Sequence, residues 1–217
     1  MLTGFLLSLA GLSASPPVES QLLQKYMDAI HMQHEARKEM AAEIIIEAKM
    51  PKLHRQATLR ALRIVALTGA ITYQILDAAG DDMVRREVIA RYLTADNGSH
   101  QTEELAITPS HYRFRLAATV ERAGQRILIF QLAPRKKQVG LFKGELWVDG
   151  QTGLPVHEAG QFVKSPSVFI KRIVFTRDYE IRDGLNVPTR IRSTVESRIA
   201  GRAELEVRFS KATQAGR

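Results

Sequence analysis

The chain has 217 residues, 45% of them apolar and 25% charged, with Gly and Pro at ordinary levels. This excludes disordered, collagenous and membrane-bundle classes and suits one domain with a sizeable core. Lys and Arg number 31 against 23 Asp and Glu, a net charge of +8. Cysteine is absent, which removes thiol catalysis, Cys-based zinc sites, disulfides and acylation of an N-terminal cysteine.

The first fifteen residues, MLTGFLLSLAGLSAS, carry no charge. The apolar run from Phe5 to Leu12 is too short to span a bilayer, which takes about 20 residues. Small residues and Pro16-Pro17 follow it, as in the core and cleavage zone of an export signal. No Lys or Arg precedes the run, and a buried N-terminal helix is the competing reading. Residues 1–15 are therefore expected to be a signal peptide, and 16–217 one exported periplasmic domain, soluble after signal removal.

After Pro17, Leu22, Leu23, Tyr26, Met27 and Ile30 recur at helical spacing, and Ser20 stands where a side-chain oxygen would cap the start. From Met40 the period changes to two. Ala42, Ile44, Ile46, Ala48 and Met50 alternate with Glu43, Ile45, Glu47 and Lys49, which marks a strand with one better-buried face. Residues 56–67 and 69–77 are rich in Leu, Ile, Val and Thr and flank Thr68-Gly69, which predicts a hairpin. A second helix is predicted from a cap at Asp81-Asp82, a stripe of Val84, Val88, Ile89, Tyr92 and Leu93, and a stop at Asn97-Gly98. Arg85, Arg86, Glu87 and Arg91 fall on its other face, and a polar loop over 97–104 follows.

The remainder predicts strands over 111–121, 125–133, 140–149, 154–164, 168–182, 186–199 and 202–210. Ala123-Gly124, Asp149-Gly150 with Thr152-Gly153, Asp183-Gly184 and Ala200-Gly201 supply the turns. No crossover helix separates these strands, so the sheet is antiparallel. In the last strand Ala203, Leu205, Val207 and Phe209 face one way, with Glu204, Glu206, Arg208 and Ser210 opposite. Elsewhere both faces are apolar over part of a strand: Ile173 and Phe175 oppose Ile170 and Val174, and Leu128, Phe130 and Leu132 oppose Ile127 and Ile129. A sheet with one wet face does not need that. Either other layers cover both faces, or a curved sheet encloses an apolar cavity.

Chemistry-bearing motifs are sparse. His31 and His34 lie one helical turn apart beside Glu35, but this is not H-E-x-x-H and no third ligand has a matching spacing. His54, His100, His111 and His157 are isolated. Lys164-Ser165-Pro166-Ser167 reads as a turn, and the nucleophile-elbow and phosphate-loop patterns are missing. Asp81-Asp82 reads as a helix cap and Glu103-Glu104 as a solvated loop. The expectation is a non-catalytic protein with no metal and no cofactor. Basic clusters at Arg85-Arg86, Arg135-Lys136-Lys137 and Lys171-Arg172 are interspersed with acids and accompany no nucleic-acid motif, so no nucleic-acid partner is expected. Arg135, Lys136 and Lys137 fall on an exposed turn, where plain solubility competes with attraction to an anionic membrane surface or an acidic protein.

Four stretches resemble the LolA/LolB/RseB superfamily of outer-membrane lipoprotein-sorting-like proteins. They are Gly140-Leu-Phe-Lys-Gly-Glu-Leu-Trp-Val-Asp149, Thr152-Gly-Leu-Pro-Val156, Tyr179-Glu-Ile-Arg-Asp-Gly-Leu-Asn-Val-Pro188 and Gly201-Arg-Ala-Glu-Leu-Glu-Val-Arg-Phe209. The resemblance covers residues 20–210. It implies an α+β fold, a curved antiparallel half-barrel with helices on its concave face, holding acyl chains of a lipid or lipoprotein. Leu146, Val148, Ile173, Phe175, Leu205, Val207 and Phe209 are the residues assigned to that apolar face. A sensor or interaction module of the RseB kind, with a protein partner in the envelope, is the alternative the resemblance leaves open. A small hydrolase with no recognisable catalytic residues is a further one.

Overall fold

A computed structural model describes residues 18–35, 39–99, 105–199, 201–210 and 213–214. The expected signal peptide, 1–15, lies outside the described residues, as do His100, Glu103 and Glu104. Helix α1 (Val18–Glu35) begins before Ser20, so that serine sits inside the first turns rather than at a cap. β1 (Met40–Met50) keeps the predicted alternation, with Ile44, Ile46, Ala48 and Met50 buried. A short 3-10 turn, Pro51–Leu53, leads into β2 (Arg55–Val65), and β3 (Ile71–Gly80) completes the hairpin.

Asp81 then caps a helical run, its Oδ1 accepting from the Val84 N–H at 3.0 Å. The run comprises α2 (Asp82–Val84), a π-helical segment Arg85–Ile89 and α3 (Ala90–Ser99), together called the second helix below. Asn97 and Gly98, the expected stop, lie inside α3. Seven hairpin-linked strands follow: β4 (Tyr112–Arg122), β5 (Gln125–Pro134), β6 (Phe142–Asp149), β7 (Pro155–Phe162), β8 (Ile170–Arg182), β9 (Leu185–Ser197) and β10 (Gly201–Phe209). β11 (Thr213–Gln214) adds two residues beside the start of β1.

The strands form one antiparallel sheet in the order β3-β2-β1-β10-β9-β8-β7-β6-β5-β4. The long-range step is β1 against β10, with Ile46 opposite Val207. β3 and β4 remain edges, so the sheet is a curved half-barrel rather than a closed barrel, as expected. The second helix connects those two edges. Pro188 lies opposite Tyr179 at a register irregularity of β8 and β9, beyond the residues of β9 that pair with β10. Proline costs no ladder bond in such a place.

Both helices cover the same face. Tyr26 of α1, with Leu22, Leu23, Met27 and Ile30, packs onto a cluster built from Leu128, Phe130, Leu132, Leu146, Val148 and Phe175. Val84 and Ile89 of the second helix, with Val88, Tyr92 and Leu93, pack onto Ile44, Ile46, Ala48, Leu59, Leu205 and Val207. The T-G-L-P turn sets the seat of α1. Gly153 has φ +80°, and a Cβ there would stand 2.7 Å from the Lys25 carbonyl oxygen of α1. Lys25 Nζ in turn donates to the Gly150 carbonyl at 2.8 Å. Gly150, in the predicted Asp149-Gly150 turn, is not among the positive-φ residues. It is glycine because a Cβ would come within 2.9 Å of the Arg126 carbonyl.

Phe130 is fully buried under α1, and Phe130→Ala is expected to cost about 3–5 kcal/mol of unfolding free energy. Ile45→Ala, on the opposite and partly exposed face of β1, should cost about 1 kcal/mol or less. Urea unfolding of both variants tests which face is core. Equal losses would refute the one-sided assignment.

Candidate functional site

The seven residues assigned from sequence share the helix-covered face. Leu146, Val148 and Phe175 lie under α1, while Leu205, Val207 and Phe209 lie under the second helix. Ile173 is half-buried on the same face of β8, outside both clusters. The fold thus brings the seven to one side but divides them between two helices, whose own side chains fill the space above them. A shallow hollow on the solvent side of α1, bordered by Gln21, Gln24, Lys25, Asp28 and Met32, includes none of them.

The helix-covered face also holds a set of polar groups, here called the seam. On β8 the inward parity that carries Phe175 continues through Arg177 and, past an irregularity, Tyr179. Arg177 Nη1 donates to Glu158 Oε2 at 3.3 Å, and the Tyr179 hydroxyl donates to Glu158 Oε1 at 3.0 Å. The Arg177 guanidinium also lies 4.9 Å from the centre of the Phe175 ring, a cation–π contact. Glu158 is only 7% exposed, whereas Arg177 keeps 36% of its side chain accessible. Burial alone would lower the Arg177 pKa, but the Glu158 carboxylate together with Tyr179, Tyr92 and Asp96 raises it by more, so the guanidinium stays charged.

The second helix contributes to the seam as well. Asp96 Oδ2 accepts from Arg63 Nε of β2 at 3.0 Å, with both side chains 10% exposed. The Tyr73 hydroxyl of β3 donates to the same oxygen, and the Arg63 guanidinium lies 5.9 Å from the Phe209 ring. One carboxylate therefore anchors the helix to two strands. One turn earlier, the Tyr92 hydroxyl is buried with no hydrogen-bond partner among the described residues. Burial, then the nearby Asp96 and Tyr73, push its ionisation upward, and its charge would also act on Arg177. A buried orphan hydroxyl on a face that also holds a charged, partly accessible guanidinium is an unfilled polar position. The arrangement can receive a hydrogen-bond acceptor or anion. It contains no nucleophile–base pair.

Sequence reasoning missed Arg63, Glu158, Arg177 and Asp96, and placed Tyr92 only as helix stripe. The available signal was a charge on an apolar parity: Arg63 continues Leu59 and Ala61, and Arg177 continues Ile173 and Phe175. The other candidates fall elsewhere. His157 pairs with Asp178 at 2.7 Å and meets the Trp147 ring at a tilt on the outer face. His31 is exposed on α1, and the side chains of His34 and Glu35 lie outside the described residues. Among the described residues no three His, Cys, Asp or Glu side chains gather as a metal site, and no helix is long and apolar enough to cross a membrane. Arg135, Lys136 and Lys137 are exposed between β5 and β6.

No protein-family model and no curated protein matches the chain. Solved structures similar to it include a LolA superfamily protein from Nitrosomonas europaea, 13% identical, covering 91% of this chain and 94% of that one, with a TM-score of 0.37. A putative outer membrane lipoprotein-sorting protein domain from Vibrio parahaemolyticus is 11% identical over 91% and 94%, with a TM-score of 0.46. The MucA/MucB complex of Pseudomonas aeruginosa gives 13% over 85% and 93%, with a TM-score of 0.25. These are similarities of architecture.

All five tyrosines of the chain, Tyr26, Tyr73, Tyr92, Tyr112 and Tyr179, have ionisation pushed upward, burial being the first cause in each. Tyr112 is pushed up to about 12, burial being partly opposed by the Phe142 N–H that its hydroxyl oxygen accepts. Unfolded tyrosine titrates at about 10. Above that pH the unfolded chain releases protons that the folded chain retains, so the stabilisation is complete below pH 10 and is lost as pH rises through the folded values. Absorbance at 295 nm should show no phenolate step near pH 10 while the fold persists, with unfolding free energy falling from about pH 10 upward. A native protein titrating several tyrosines at pH 10 would refute the seam's burial.

Proposed function

We propose that this chain is an exported, non-catalytic binding protein that takes an acyl chain of a lipid or lipoprotein onto its concave face, with the polar end of the ligand at the Arg177–Tyr92 seam. The observation that carries this is the buried, unpartnered Tyr92 hydroxyl on the same helix-covered side as a guanidinium that is still 36% accessible. An ester or carboxylate oxygen arriving there satisfies the hydroxyl and meets positive charge, and its alkyl tail lies against residues such as Ile173, Phe175, Leu205, Val207 and Phe209. Leu146 and Val148 extend the same apolar surface under α1. Burial is worth about 0.8 kcal/mol per methylene, so a tail of ordinary length supplies micromolar affinity without further polar contacts. The amino-terminal apolar segment supports export.

Entry needs space now filled by helix side chains, and the second helix is the one suited to move. α1 is tied at four places: Glu19 to the Leu116 N–H, Lys25 to Gly150, the Tyr26 hydroxyl to the Ile107 carbonyl, and Gln33 to Asn186. The second helix is tied at its start, by Asp81 to Arg55 and Arg85 to the Ala78 carbonyl, and further along by Asp96, and it includes a π-helical segment and leaves the Tyr92 hydroxyl unsatisfied. π segments of this kind occur at functional positions in helices.

Tyr92→Phe should raise unfolding free energy by about 1 kcal/mol, because it removes a buried polar group that has no partner. The same variant should weaken binding of a fluorescent fatty acid, as should Arg177→Gln. Hydrogen exchange on adding the fatty acid should change in 82–99 and not in 18–35. Native mass spectrometry of protein purified from an envelope should show a lipid adduct. A clean apo mass together with no fatty-acid binding by the delipidated protein overturns the reading. Trp147 is unsuited as the reporter, since it lies on the outer face with its Nε1 donating to Glu145.

A further inference from the structure

The two ends of the strands differ in a way the acyl site does not use. The β1–β2 turn (51–54), the β5–β6 connection (135–141), the β7–β8 connection (163–169) and residues 198–199 after β9 lie at one end, because antiparallel register puts Lys49 opposite Glu204 and Ile170 opposite Ser197. Large apolar side chains project to solvent from all four: Leu53, Val139, Val168, Phe169 and Ile199, with Val168 80% and Ile199 76% exposed. The connections touch one another. Arg198 N and Nε donate to the Phe169 and Val168 carbonyls at 2.8 and 3.1 Å, and Val163 N donates to the Leu141 carbonyl at 3.0 Å. A Cβ on Gly201 would stand 3.0 Å from Lys52 Cδ.

The charge at this end is mostly of one sign. The four connections carry Lys52, Arg135, Lys136, Lys137, Lys164 and Arg198 and no Asp or Glu, and the start of β8 adds Lys171 and Arg172, the latter opposite Glu196 of β9. Lys136, Lys137, Lys164, Lys171 and Arg172 make no ion pair among the described residues, in contrast to the arginines of the outer sheet face. A small hollow bounded by Ser110, His111, Arg135, Lys136, Gln138 and Leu141 opens in the same rim. At the opposite end, the turns 66–70, 123–124, 150–153 and 183–184 hold no Lys or Arg and one Asp, and Arg122, Arg126 and Arg182 stand on the strand ends beside them.

We propose that this rim docks on the surface of an anionic bilayer, with Val168, Phe169 and Ile199 entering the headgroup boundary and the surrounding lysines and arginines meeting lipid phosphates. Protruding apolar side chains inside a ring of unpaired cations fit such an interface, and an acidic protein surface gives no apolar phase to receive them. Each cation near an anionic surface strengthens attachment about fivefold. The proposal widens the Arg135-Lys136-Lys137 cluster into one sector of a larger surface, and it stands whether or not the concave face binds acyl chains.

Co-sedimentation of the full chain with vesicles of phosphatidylglycerol and phosphatidylethanolamine tests it. Binding is expected, weakening as salt is raised, with little to phosphatidylcholine alone. The double variant Val168→Asp with Phe169→Asp should lose at least about tenfold in affinity while keeping its thermal unfolding, since both side chains are exposed. Lys164→Ala and Lys171→Ala should each cost about fivefold. In a Trp147→Phe background, Phe169→Trp should shift its emission to the blue on anionic vesicles and be quenched by brominated acyl chains. Absence of vesicle binding, equal binding to phosphatidylcholine, unchanged affinity of the aspartate variant, or capture of polyglutamate in place of vesicles each overturns the proposal. Rim variants that lose vesicles but retain the fluorescent fatty acid separate this surface from the concave site.

Discussion

An open antiparallel sheet of ten successive neighbours has one face with nothing to pack against unless the chain supplies a cover. That constraint organises the molecule. A closed barrel would let the inward side chains meet one another across the lumen, but β3 and β4 do not pair. The apolar rows of β1, β5, β6, β8 and β10 are therefore sealed by two helices, and burial of those rows is the dominant favourable term. The long connection from β3 to β4 has to travel from one edge of the sheet to the other. By running as a helix over 82–99 it satisfies its own backbone while covering the concave face of β1, β2 and β10.

Polar groups on the covered face come in two sets. Arg63, Asp96 and Tyr73 form one, and Arg177, Glu158 and Tyr179 the other. Each carboxylate accepts from an arginine and a tyrosine, which is what keeps a charge tolerable at 7–10% exposure. The pairing also fixes position. An apolar helix on an apolar sheet can slide by a turn at small cost, whereas Asp96 meets Arg63 and Tyr73 in one placement only. Tyr92, one turn before Asp96 and without a partner, is where this matching stops.

Most of the architecture was legible because its signals are local. Period-two runs such as Ile44-Ile46-Ala48 and Leu205-Val207-Phe209, and turns such as Ala123-Gly124 and Asp183-Gly184, carry their geometry within a few residues. Helix limits were less well read. Ser20 and Asn97-Gly98 have capping chemistry but lie inside their helices, since packing of Tyr26 and Leu93 on the sheet outweighs a terminal hydrogen bond. The seam was not legible, because its members lie on five different elements and each is an ordinary residue in its own strand or helix. Only the appearance of Arg63 and Arg177 on buried parities departs from local pattern. Their partners, Asp96 and Glu158, are selected by strand order, which no local spacing encodes.

The same strand order explains why a net charge of +8 does not amount to a uniformly basic protein. On the outer face, arginines meet glutamates on the same or neighbouring strands: Arg60 with Glu43, Arg208 with Glu47 and Glu206, Arg190 and Arg192 with Glu206, Arg202 with Glu204. Such exposed pairs add little stability, but they cancel the field of the sheet surface. Loops have no cross-strand partner to impose that cancellation. The lysines and arginines of the 51–54, 135–141, 163–169 and 198–199 connections thus retain their charge at one end of the half-barrel, beside the most exposed apolar side chains of the described chain. Excess charge and excess apolar surface coincide there because both are what the sheet's own pairing leaves unused.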